Sequence, residues 1–506
     1  MAALPMKPVE MMRHILVSSY IQSALTSLLC LSLLGAITSS SAAANEASAE
    51  DKYPFILTQM MLDDLQAINH VPGMAFAMQF GDGRQYCVVT GHANLDENEP
   101  VSCRTQFRLA SVSKLFAATA AAKLVSEGVL NLDTPVNQYV SYFDLGQEVK
   151  VSHLLSHTSG LPHYRAPDGG RGAAHYDSVE AGWKAYGERR LSFVPGTNYQ
   201  YSTMGYTLLS AVIEEAAKTN YLTYLRDRVF APLIPHNIAA ENPTNPHPNM
   251  SINYAVEGSL VTQAAYHDYS YSWGGAGMRS NAPDLARFGA LYFHDKFLDQ
   301  HTKVSFFTPT HLENGDTVGR YYYRTGLGWR IGQDFKGRKI VHHSGVATGA
   351  RSTLVLYPDS KLSISFLSNA RWSSQIERTA YTLALPFQTT RYVNKKSNCP
   401  ETESKYTGEF DSEVIKGHLY INFEDGICSG LILVDNILGS RLWRNNTEGV
   451  KKLRFYFIEK DGKSSTVAMI SPYGLSVAAF SLNNGQCSFS GYFGNDQQYR
   501  LALDTC

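Results

Sequence analysis

From Leu115 through Glu127 the chain is rich in Ala, Leu and Lys and has no Gly or Pro before Gly128. That composition predicts a helix that stops at the glycine. The run is opened by Phe107-Arg108-Leu109-Ala110-Ser111-Val112-Ser113-Lys114, which holds the only Ser-x-x-Lys in 506 residues. Residues three apart share a helix face, so the Lys114 amine reaches the Ser111 hydroxyl. A serine on the first turn also meets the positive end of the helix dipole and free backbone N–H groups. The spacing predicts an activated serine; its bland counterpart is a capping serine beside a solvated lysine.

Two later segments favour the catalytic reading. Pro195-Gly196-Thr197-Asn198-Tyr199-Gln200-Tyr201-Ser202-Thr203 precedes a helical pattern with Leu208, Leu209, Val212, Ile213 and Ala216 on one side. Tyr201 then sits where loop becomes helix, and a phenol held partly ionised by neighbouring cations relays protons there. His342-His343-Ser344-Gly345 follows a β-like run, Arg338 to Val341, and precedes two more, Ser352 to Tyr357 and Leu362 to Ser368. A strand ending in Gly lets a substrate backbone approach, and the N–H of Val346 completes an oxyanion hole with that of Ser111. His343 supplies the polar or cationic group facing the substrate. Arg324-Thr325-Gly326 is the rival for this third element, less favoured because it runs into Leu327-Gly328-Trp329 at the start of a strand.

With these three elements in this order, the chain resembles the class C β-lactamase and D-alanyl-D-alanine carboxypeptidase superfamily, and within it the serine β-lactamase-like proteins. The matching stretches include Leu130 to Val140, Val151 to Pro162, Trp273-Gly274-Gly275-Ala276-Gly277 and His343 to Asn369. The resemblance covers about residues 55 to 390. It implies an α/β (α+β) fold, an antiparallel sheet flanked by helices with a helical subdomain. It also implies Ser111 as nucleophile, Lys114 and Tyr201 as the general-base pair, and His343 with Ser344, Gly345 and Val346 as the opposite wall. An acyl-enzyme released by water follows, with no metal or organic cofactor. Thr203 departs from the Tyr-x-Asn pattern of the β-lactamases: a hydroxyl at this substrate-binding position cannot offer both an amide donor and an amide acceptor. A peptidase or esterase is therefore expected over a true β-lactamase. A non-catalytic, filament-forming scaffold that keeps the fold is the alternative from another class.

Charge and composition agree with a globular enzyme. With a net charge of -1 and no long basic run, no nucleic acid is expected as a partner, and 44% hydrophobic residues supply a core. The expected partner is a small peptide, amide or ester, with the oligomeric state left open. Lys7 and Arg13 precede an uncharged stretch from Ile15 to Ile37, and Ser41-Ala42-Ala43-Ala44 offers a cleavage site. Residues 1–44 thus read as a signal peptide or membrane anchor. The destination is periplasmic or secreted, or membrane-anchored with the catalytic part outside. Cys87, Cys103, Cys399, Cys428, Cys487 and Cys506 leave an even six after cleavage, which suits export, although sequence does not give their pairing.

Residues 50–392 are expected to form the catalytic domain. Beyond a linker at Asn394 to Ser404 the texture becomes short alternating runs separated by Asp-Gly, Tyr-Gly and Asn-Gly, the signature of β-hairpins. Residues 404–506 are expected to form an all-β accessory domain that narrows the active-site mouth. His153 and His157 read as structural residues at a helix end. The chain has no His-Glu-x-x-His, P-loop or Gly-x-Ser-x-Gly elbow.

Overall fold

Nine strands form the central sheet: Gly73–Phe80 (β1), Gln85–Asn94 (β2), Glu99–Pro100 (β3), Gly319–Arg320 (β4), Tyr323–Thr325 (β5), Arg330–Gln333 (β6), Lys339–Ala347 (β7), Ala350–Tyr357 (β8) and Leu362–Ser368 (β9). They lie in the order β3-β2-β1-β9-β8-β7-β6-β5-β4, each pair antiparallel. The computed structural model describes residues 52–143, 146–163, 170–187, 190–372, 375–410, 413–434, 452–483, 486–493 and 497–504. The early hairpin joins the late strands through β1 and β9, from Met74 opposite Ser368 to Phe80 opposite Leu362.

Every residue of β8 and β9 is buried, so both faces of the sheet need cover. Helices provide it: Lys52–Asn69 (α1), Ser113–Ser126 (α2), Thr203–Ala217 (α3), Ala282–Ala290 (α4) and Ile376–Leu383 (α5). Leu354 and Leu356 of β8 meet α4 at Gly289, where a Cβ would lie 2.5 Å from Leu356. The alternate side chains of β8 face α5. This α+β architecture is the class that the sequence implies. The strand predicted to end at Val341 instead runs on to Ala347, because Ser344 to Ala347 pair with Thr353 to Ala350. His343 and Gly345 are therefore within β7, not at its end.

The hairpin-rich region is a closed eight-stranded meander: Thr402–Phe410 (β10), Glu413–Glu424 (β11), Ile427–Val434 (β12), Lys452–Asp461 (β13), Ser464–Ser471 (β14), Gly474–Asn483 (β15), Gln486–Phe493 (β16) and Gln497–Leu503 (β17). Pairing of β17 back onto β10 closes the barrel and removes its edges. Its interior is an apolar cluster of its own, with Phe455, Phe457, Phe480 and Phe489 meeting at ring angles of 60–73°. The barrel seats behind the sheet. Tyr456 meets Asp64 of α1, Leu475 N–H donates to Thr379 Oγ1 of α5 at 3.1 Å, and Glu459 pairs with Lys336 and Arg391. These contacts place the described part of the barrel against α1 and α5.

Cys87 is bonded to Cys103 and Cys399 to Cys428, and Cys487 is also disulfide-bonded. Cys30, Cys506 and the predicted leader at 1–44 lie outside the described residues. Among the described residues, no helix is long and apolar enough to cross a membrane.

Candidate active site

Ser111 lies in a 3-10 turn, Ala110–Val112, that feeds directly into α2. Ala110 holds the left-handed region at φ 48°, an unfavourable conformation for a residue with a Cβ. The surroundings enforce it. Leu109 N–H donates to Met278 O at 2.9 Å, Ser352 Oγ to Leu109 O, and Met278 N–H to Ser113 Oγ at 3.1 Å. The turn is thus clamped between the β8 strand and the Met278–Ser280 strand, with the Ser111 side chain left partly accessible.

Lys114 is fully buried one turn on. Its Nζ lies 2.7 Å from Gly275 O, 3.0 Å from Thr203 Oγ1 and 3.3 Å from Ser111 Oγ. No carboxylate is among these partners. Burial, with the nearby Arg330 cation, holds its pKa well below the ordinary lysine value. Trp273-Gly274-Gly275 is shaped for this contact, since a Cβ on Gly275 would fall 2.6 Å from Thr203 Cγ2. Thr203 therefore takes up the lysine as its hydrogen-bond partner from the first residue of α3.

Tyr201 stands two residues before α3, at the predicted loop-to-helix junction, with Ser202 capping the helix through Gly205 N–H. Its hydroxyl is buried and makes no hydrogen bond. Lys114 Nζ sits over the ring at 4.9 Å, and the Arg330 guanidinium at 5.7 Å. The expected partial ionisation does not occur: burial pushes the phenol up to about 12, outweighing Arg330 and the lesser pull of Ser111. Three histidines surround the ring, with centroids at 4.4 Å (His157), 5.3 Å (His163) and 6.0 Å (His343). Desolvation holds all three neutral, His163 at about 4 and the others well below their ordinary value. His157 Nδ1 accepts from Ser202 N–H at 3.1 Å and His163 Nδ1 from Thr203 N–H at 3.2 Å. Both histidines thus fix the backbone that presents Tyr201 and Thr203.

The opposite wall is β7. Its hairpin with β8 turns through Thr348-Gly349, with Gly349 at φ 66°, so Ala347 and Ala350 form the hydrogen-bonded pair nearest the turn. By alternation, Val346 and Ser344 direct their N–H groups away from β8. On that side β6 reaches only as far as Arg330, opposite His342. The edge from Ser344 to Ala347 is consequently open. The Ser111 turn lies against the face of β7 at this point: a Cβ on Gly345 would fall 3.0 Å from Ser111 N and 2.2 Å from Leu109 O.

The structure thus brings Ser111, Lys114, Tyr201, Thr203, His343, Ser344, Gly345 and Val346 to one cleft. It corrects the cationic option for His343, whose ring is buried and neutral and whose Nδ1 lies 2.8 Å from Ser344 O. The fixed cation here is Arg330 of β6, which sequence reasoning missed. Its guanidinium donates to Ser344 Oγ at 3.0 Å and stacks on Tyr323 at 4.7 Å. The rival Arg324 is exposed on β5, and Thr325 is buried beside it. Position directly after Gly326-Leu327-Gly328-Trp329 was the available signal for Arg330, and sheet register is what turns it toward Ser344.

The sequence profile of the Beta-lactamase family matches residues 59–386, more than half of the chain. The chain belongs to the Beta-lactamase family. It is 28% identical over 329 residues to Penicillin-binding protein 4 of Amycolatopsis lactamdurans, covering 62% of this chain and 84% of that one. It is 25% identical over 380 residues to the human serine beta-lactamase-like protein LACTB, mitochondrial, covering 57% and 69%. Among solved structures it is similar to the octameric penicillin-binding protein homologue from Pyrococcus abyssi, with a TM-score of 0.55 and 20% identity. That likeness covers 87% of this chain and 97% of the other, a share that the residues preceding the barrel cannot supply by themselves. D-amino acid amidase from Ochrobactrum anthropi superposes with a TM-score of 0.55 at 21% identity, over 62% and 91% of the two chains. This family member is a serine hydrolase of the β-lactamase and penicillin-binding protein group.

Proposed function

We propose that the protein hydrolyses a peptide, amide or ester through an acyl-enzyme on Ser111. The observation that carries this reading is Lys114, a buried amine without a carboxylate partner, 3.3 Å from the Ser111 hydroxyl. A neutral amine has two N–H donors and one lone pair. Gly275 O and Thr203 Oγ1 take the donors, which leaves the lone pair for the Ser111 proton.

Ser111 Oγ then bonds to the substrate carbonyl carbon as its proton passes to Lys114. The oxyanion forms between the N–H groups of Ser111 and Val346. The neutral Tyr201 hydroxyl, buried and without a partner, hands a proton to the leaving group as the scissile bond breaks and is reprotonated from Lys114. Water attacks the acyl carbon by the same route in reverse and frees Ser111. His343 shapes the cleft as a neutral ring beside Tyr201, and Ser344 lines the wall.

A peptidase or esterase fits better than a true β-lactamase, because the Thr203 hydroxyl is shorter than an amide and already engaged by Lys114. The disulfides favour an oxidising compartment, hence a periplasmic or secreted enzyme. Residues 50–392 act as the catalytic domain and 404–506 as its accessory domain.

The test is intact-protein mass spectrometry after a fluorophosphonate and, separately, a penicillin, with Ser111→Ala as control. A Ser111-dependent fluorophosphonate adduct is expected, together with a lasting penicilloyl adduct. No adduct from either reagent on folded protein would move the assignment to a non-catalytic scaffold.

A further inference from the structure

One carboxylate reaches the wall of the cleft from behind the sheet. Glu377, in the first turn of α5, places Oε1 3.4 Å from Arg330 Nη1 and 3.6 Å from His342 Nδ1. Burial alone would raise its pKa, yet His342, Arg330 and Ser344 together hold it well below the usual carboxylate range, so it is ionised. The same Arg330 Nη1 donates to Ser344 Oγ at 3.0 Å. Ser344 is also a side-chain hydrogen-bond partner of Glu377, so Arg330, Ser344 and Glu377 form one network behind the wall.

Two residues along the same helix, the fully buried Thr379 accepts the Leu475 N–H of β15 through Oγ1 at 3.1 Å and donates to Gln375 O at 3.0 Å. Helix α5 is thus gripped by the barrel on one side and touches the substrate wall on the other.

We propose that Glu377 is a positioning residue that holds Arg330 against Ser344, and that the C-terminal barrel keeps Glu377 in place through Thr379. This inference rests on the reading of Ser111 as nucleophile and Ser344 as wall. The barrel then acts as a brace for the substrate wall.

The test measures p-nitrophenyl ester hydrolysis from pH 5 to 10 by wild type, Glu377→Gln and Thr379→Val, with fluorophosphonate labelling of each in parallel. Glu377→Gln is expected to lower kcat/KM by about tenfold to hundredfold, mostly through KM, as misplacement of a binding group does. It also leaves the Arg330 charge uncompensated. Lys114 is faced by Arg330, His157, His163, His343, Tyr201 and Tyr206, of which only Arg330 carries charge at neutral pH. Losing the Glu377 charge therefore disfavours protonated Lys114, and the acid limb of the profile moves to lower pH. Merely loosened packing would not produce that shift.

Thr379→Val is expected to raise KM in the same direction by a smaller factor. Should Glu377→Gln fail to fold, Glu377→Asp keeps the charge but loses reach, and predicts a raised KM with an unmoved acid limb. Labelled, folded Glu377→Gln with wild-type KM and profile would overturn the proposal. Wild-type KM in Thr379→Val would remove the barrel from it. An unlabelled wild type would instead bring down the nucleophile reading on which the proposal stands.

Discussion

The cleft and the barrel handle their interiors in opposite ways. The barrel fills its centre with Phe455, Phe457, Phe480 and Phe489, closes every strand pairing and gains stability from burial. The cleft buries an amine without a counter-ion, a phenol without a hydrogen bond and an alanine at positive φ. Each of these costs stability, and under the proposed function each serves acyl transfer at Ser111. Stability is gathered in one region and given up in the other.

The contrast breaks most readily at its catalytic end. Ser111→Ala should reduce ester turnover by about a thousandfold or more with an unchanged melting temperature. Retained turnover would show that the cleft's cost serves something else. At the other pole, Phe455→Ala should destabilise by about 3–5 kcal/mol in a denaturant melt, the usual penalty for emptying an aromatic core position. A mild effect there would mean that the barrel is not the stability reserve described.

Tyr201→Phe removes a hydroxyl that has no partner in the resting site. Turnover should fall by about a hundredfold or more, as expected for loss of a proton donor, at little or no cost in a thermal melt. The smallest effect is the most discriminating. Lys114→Met should abolish turnover yet gain about 0.5–2 kcal/mol of stability near neutral pH, as relief of a strained active-site feature does. The sign follows from linkage. The native pKa of Lys114 lies below its unfolded value, so the unfolded state binds more protons between the two and stability rises with pH across that window. Lys114→Met should flatten that rise. Wild-type activity should increase with pH through the depressed Lys114 value, and a flat profile would remove the amine from the mechanism.

What could be read in advance was whatever local spacing fixes. The Ser111–Lys114 step, the α3 start after Tyr201 and the β8–β9 pair all follow from periodicity and turn residues over short spans. The family resemblance supplied the sheet that joins residues near 75 to those near 365, which no periodicity could. The misreadings share a cause: burial created by distant segments. Tyr201 was assigned a partly ionised phenol because cations were foreseen but desolvation was not. His157, expected as a structural residue at a helix end, does follow the Val151–Leu155 helix at φ 61°, and only the fold adds that its ring lies 4.4 Å from Tyr201. Arg330 escaped notice because only the β6–β7 register brings it opposite His342. The end of β7 was misplaced because Gly345 was read as a strand terminus, when its lack of a side chain serves the approach of the Ser111 turn.

The interrupted edge of β7 has one more consequence. The chain leaves the sheet at Gly328, where φ is 88° and a Cβ would come within 2.3 Å of Ala118 on α2. Were β6 to begin two residues earlier, it would cover Ser344 and seal the cleft. The gap has the shape of one missing strand segment, and under the proposed function an extended substrate backbone fills it. Recognition written in backbone hydrogen bonds is indifferent to side-chain identity. Under the proposed function, the loops around this gap can set the substrate without any change to Ser111, Lys114 or β7.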